Sequence, residues 1–166
     1  MPTELLIPLA IFVALLAAFG LLLRRIWLLI VESRQLAGFR RSVRDLAARI
    51  DQTLETILIQ VDRVRRHQVD VASISAGLDQ ALERLVLLGE EARNLEGPAV
   101  TAVARRAFID EIDRAERALQ MVEHGCAILA TAGASYRQVE AETAIKRGYL
   151  NVVHAREALA RHAADI

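Results

Sequence analysis

The sequence predicts an all-α chain: an N-terminal transmembrane helix followed by a long antiparallel helical hairpin or four-helix bundle with coiled-coil periodicity. Three observations predict it. Residues 5–23 form an uncharged apolar run. Apolar side chains then recur every three or four residues from Leu36 onward. No stretch shows the strict alternation of a half-buried strand.

Nineteen apolar residues reach about 28 Å as a helix, close to the hydrocarbon thickness of a bilayer. The four residues before them form a short tail whose only charged side chain is Glu4. That tail lacks the basic start of a secretory signal, and the run is long for a signal core. Ala10, Ala14 and Ala18 fall on one helix face and would permit close helix packing in lipid. Residues 24–35 read as a basic and aromatic juxtamembrane helix. Arg24, Arg25 and Trp27 suit the membrane interface, with the arginines reaching back to the headgroups.

Six arginines follow the run within about twenty residues, and none precedes it. The expected location is therefore a bacterial inner (plasma) membrane. A single span would leave the N-terminus outside and residues 36–166 in the cytoplasm. Arg34, Arg40, Arg41 and Arg44 are the expected contacts to anionic lipid. Residues 24–66 carry a net charge of +5 and residues 67–166 a net −4, so the arm nearest the membrane is the basic one.

Beyond the juxtamembrane segment, the apolar positions of a first arm run from Leu36 and Phe39 to Ala92 and Leu95 at a mean spacing of about 3.5. That is the period of a left-handed supercoil. Only Gln68 interrupts the apolar character of this stripe. Glu96, Gly97 and Pro98 mark the turn, with Gly97 suited to a left-handed cap and Pro98 to restarting a helix. A second arm continues through Phe108, Ile112, Leu119, Val122 and Cys126, and later Ile145, Val152 and Leu159. Two weaker breaks compete with this picture, at residues 69–75 and 131–135. The apolar phase runs through both, which favours two continuous arms over four shorter helices. Ala47, Ala48, Leu58, Ile59, Val86 and Leu87 widen the stripe, as expected of helices with more than one neighbour. Self-association or a helical protein partner is therefore expected.

Candidate chemistry is sparse. His67, His124, His154 and His162 form no i,i+3 or i,i+4 pair, and none follows a Glu at the E-x-x-H spacing. No metal site or other cofactor is expected. The serines lack a nucleophile motif, so no catalytic residue is assigned. Cys126 falls in the apolar seam, which points to packing. Arg63, Arg65, Arg66 and His67 form a short basic knot, read as a solvated face or a docking point for an acidic partner. Nucleic-acid binding is disfavoured, because the basic arm lacks interleaved aromatics. No small-molecule substrate is evident.

The layout of short tail, anchor and long helices resembles that of LemA-type proteins and of chemoreceptor signalling hairpins. Neither the LemA pattern of paired basic residues before D-L-I-P-N-L nor a receptor tip sequence is present, so no residue roles carry over. The functional expectation is a membrane-anchored interaction or scaffold protein, or an accessory subunit, without catalysis. The alternative is a signal-relay module coupling a membrane partner to a cytoplasmic helical tip.

Overall fold

The computed structural model describes the backbone of residues 3–131 and 135–165; the side chains of residues 3–15, 17, 18, 26, 28–32, 135 and 136 lie outside the described set. The elements are α1 (Thr3–Arg65), α2 (Ser75–Asn94), α3 (Ala102–Thr131) and α4 (Ser135–Asp165), with 3-10 turns at Val71–Ser73 and Ala99–Thr101. Among the described residues there is no strand. The chain divides into two units, Met1–Gly38 and Phe39–Ile166.

The second unit is a four-helix bundle made from residues 39–65 of α1 together with α2, α3 and α4. Cross-helix pairs give its topology. Arg49 meets Glu91, Arg93 meets Asp113, and Arg156 meets Asp51. Each helix thus runs antiparallel to the next, and α4 closes the ring against α1. The first arm's seam is buried as the spacing predicts: Phe39, Val43, Leu46, Ile50, Leu54, Ile57, Val61 and Val64 on α1, then Leu78, Leu85, Leu88 and Ala92 on α2.

Two long continuous arms are not what forms. The first arm breaks after Arg65, and α2 begins only at Ser75. His67 adopts φ 55°. Its N–H donates to the Val64 carbonyl, and that of Gln68 donates to the Arg63 carbonyl, both at 2.9 Å. This pair of bonds is a Schellman stop, which satisfies the last carbonyls of the helix. The phase ran on because Val71 and Ile74, in the connection between the two helices, also pack on the core. Gln68, the one polar residue in the stripe, is exposed and lies in the turn. The second break also separates helices, since α3 ends at Thr131 and α4 starts at Ser135.

The turn at residues 96–98 forms as expected, but for another reason. Among the described residues no glycine has positive φ. Gly97 is needed for space, because a Cβ there would lie 2.7 Å from the Phe39 ring. Pro98 caps the 3-10 turn that precedes α3.

Helices α3 and α4 approach closely. A Cβ on Gly148 would lie 2.6 Å from Val122 Cγ2 and 2.8 Å from the Ala118 carbonyl. One on Gly125 would lie 2.7 Å from Ile145 Cγ1 and 2.9 Å from the Ala141 carbonyl. Ala115, Ala118, Ala141 and Ala155 are buried with them. The two backbones meet through small side chains, a seam that hydropathy alone does not mark.

Gly148→Ala should therefore destabilise the bundle by about 1–3 kcal/mol, as overpacking against backbone does. Gly89→Ala should stabilise it by up to about 1 kcal/mol, because its Cβ would meet Ile112 at 3.4 Å and helix propensity improves. Urea denaturation of the two variants in mild detergent checks the opposite signs. His67→Gly should add about 1 kcal/mol in the same assay, by relieving the left-handed backbone.

Candidate interaction surfaces

In the first unit, the described part of α1 exposes a run of large apolar residues: Leu16, Phe19, Leu21, Leu22, Leu23 and Trp27. Leu21, Leu22 and Leu23 are 67%, 56% and 50% exposed. Successive helical residues point about 100° apart, so this stretch is apolar around most of its circumference rather than along one stripe. Among the described residues no helix is long and apolar enough to cross a membrane. The span expected at residues 5–23 rests largely on residues 5–15, 17 and 18, whose side chains lie outside the described set, as do those of Ala10, Ala14 and Ala18.

The expected interface residues Arg24, Arg25 and Trp27 are exposed in this unit, as is Arg34. Arg40, Arg41 and Arg44 are exposed on α1 in the bundle unit. The six arginines that follow the apolar run thus belong to two units.

In the bundle, α1 is tied to its neighbours by ion pairs along its outer edges. Arg156 donates to both oxygens of Asp51, and through Nη2 to Glu55 Oε2 at 3.2 Å. On the other edge Arg49 bridges Glu91 of α2 and, at 3.2 Å, Asp45 one turn earlier. Hydrogen bonding from Arg156 holds the Asp51 carboxyl below its ordinary range, against the opposing effect of burial. The guanidinium of Arg156 is raised in turn, chiefly by its bond to Asp51.

The basic knot is only partly a free surface. Arg65 and Arg66 both reach Asp62, at 3.3 and 2.8 Å. The Arg65 guanidinium also sits 4.4 Å from the centre of the Tyr149 ring on α4. This pairing across helices follows from the antiparallel arrangement and could not be read from spacing.

Grooves flank α1 on both sides, and two of them hold exposed apolar residues. The one against α2 encloses about 450 Å³ and is lined by Gln52, Thr53, Thr56, Gln60, Gln80 and Arg84, with Leu87 at its rim. The one against α4, of about 550 Å³, includes Leu58, Ile59, Asp62, Tyr149 and Val153. Leu58 is 8% exposed, and Ala47 packs on the core. Part of the surplus stripe is thus covered within one chain, while Ile59, Val86 and Leu87 remain exposed.

Cys126 is buried, as its place in the seam predicts, and burial pushes its thiol up to about 11, with Glu123 adding to the effect. Among the described residues no group of three or more His, Cys, Asp or Glu side chains gathers in a metal-binding arrangement. Glu111 Oε2 is buried without a hydrogen-bond partner, while its other oxygen reaches Arg114.

No protein family, curated protein or solved structure matches this chain.

The Asp51–Arg156 pair sets a pH dependence. A carboxyl with a lowered folded value stabilises the fold above its unfolded value and loses that contribution as pH falls through the folded one. The loss should begin below the ordinary value of 3.8. With Asp51 about half exposed, the contribution is small, about 0.5–1 kcal/mol. Arg156→Gln should remove that increment at pH 7 and flatten the acid limb of a stability–pH curve.

Proposed function

We propose that the protein is a membrane-anchored helical interaction protein, a scaffold or accessory subunit of an inner-membrane assembly that performs no catalysis itself. One observation carries the membrane part: Leu21, Leu22 and Leu23 are all half or more exposed around the helix. A protein groove covers one face of a helix, whereas lipid covers all of them. The arginines at 24, 25, 34, 40, 41 and 44 support an orientation with the bundle on the cytoplasmic side. Exposed Ile59 and Leu87, each beside a groove of α1, support the interaction part.

The test has two parts. The full chain should stay with bacterial membranes through alkaline carbonate extraction, and Leu16→Asn, Phe19→Asn and Leu22→Asn combined should release it. A C-terminal alkaline phosphatase fusion should be inactive and a fluorescent-protein fusion bright. Extraction of the unaltered chain by carbonate would overturn the anchor; the opposite pair of fusion results would overturn the orientation.

A further inference from the structure

The connection between α2 and α3 closes the end of the bundle at which the unit's first residue, Phe39, lies. The Phe39 ring rests against Gly97. The six residues that follow, from Pro98 to Val103, carry no charge. Thr101 is turned inward, 7% exposed, with its hydroxyl and its N–H both donating to the Pro98 carbonyl at 2.8 and 2.9 Å. Its neighbours face out. Val100 is 77% and Val103 84% exposed, and Ala99 and Ala102 are exposed beside them.

Nothing in the bundle uses these valines. Turns between helices are ordinarily polar, and one quarter of this chain is charged. Around the tip the charge is mainly positive. The same end carries Arg40, Arg41 and Arg44 on α1, Arg105 and Arg106 on α3, and Arg161 on α4, against Asp45, Glu96 and Asp165. Arg105 is fixed in the rim by a 2.7 Å bond from Nη1 to the Leu95 carbonyl. A small apolar tip inside a basic rim matches the two attractions of an anionic bilayer surface, apolar insertion and headgroup charge. Only eleven residues separate Phe39 from Trp27 in the sequence.

We propose that this end of the bundle, with Val100 and Val103 at its tip, is a second membrane contact that rests on anionic lipid. The proposal builds on the reading of α1's apolar start as an anchor, and the experiment separates the two. The full chain is reconstituted into phosphatidylcholine vesicles with and without phosphatidylglycerol. Single variants Leu22→Cys, Val103→Cys and Val139→Cys carry an environment-sensitive fluorophore. Cys126 stays unlabelled, being buried with its thiol pushed up to about 11. Val139, exposed near the start of α4 at the opposite end of the bundle, is the control.

With phosphatidylglycerol present, nitroxide-bearing lipid should quench the labels at positions 22 and 103 but not at 139. Without it, quenching at 103 should be lost and that at 22 kept. Quenching at 22 with none at 103 would overturn the tip contact and leave the anchor standing. No quenching at 22 would overturn the anchor, and the tip proposal with it. Equal quenching at 103 in both vesicles would overturn the anionic-lipid specificity. A label at 103 shielded from lipid and water alike would show protein there instead, and would also overturn the proposal.

Discussion

The close approach of α3 and α4 at Gly125 and Gly148 sets the geometry of the bundle. Where a missing Cβ brings two backbones together, the helix axes cannot separate without losing contact along the whole seam. Helix α4 accordingly presents small residues inward, with Ala141, Ala155 and Ala158 between Ile145, Val152 and Leu159. The bulk of the core comes from elsewhere. The largest fully buried side chains are Phe108, Leu46, Ile50, Leu54, Ile57, Leu78 and Leu85, and none of them is on α4. The small residues of α4 thus fix its distance from α3, and α1, α2 and α3 supply the bulk that fills the core.

That division explains what the sequence made legible. Large apolar residues at spacings of three and four named their own helix faces, so the seam of α1 and α2 could be read almost residue by residue. The α3–α4 seam could not be, because alanine and glycine are common on solvent faces as well as in cores. Ala118, Gly125, Ala141 and Gly148 gave no hydropathy signal. The available signal was their spacing, since 118 and 125, and 141 and 148, each lie seven residues apart, one heptad. Val103 and Val139 are the converse case, since their spacing suits the second arm's apolar stripe yet they stand in solvent.

The break after Arg65 illustrates a different limit. Stop signals at the sequence level rely on glycine or proline, and here a histidine takes the left-handed position. Histidine is among the few non-glycine residues found there with some frequency, but its presence carries no warning. Gly97, which did look like a left-handed cap, instead makes room for the Phe39 ring. In both cases the backbone geometry depends on what packs nearby, and sequence spacing holds no record of that.

The polar links follow the same asymmetry as the core. Helix α1 is joined to α2 by Arg49–Glu91 and to α4 by Arg156 with Asp51 and Glu55, all on half-exposed edges. Such pairs are weak singly and weaken further with salt. The effect of Arg49–Glu91 is on register more than on stability, because a one-turn slip would set Arg49 opposite Leu87 or Leu95 instead of a carboxylate. The apolar stripe of α1 is nearly uniform along its length, Val43, Leu46, Ile50, Leu54, Ile57 and Val61 being similar in size. It would tolerate a one-turn slip that the Arg49–Glu91 edge does not. The glycine seam therefore fixes how far apart α3 and α4 lie, and the Arg49–Glu91 bridge fixes where along its length α1 stops. That in turn places Phe39 against Gly97 and gives the α2–α3 turn its position at the end of the bundle.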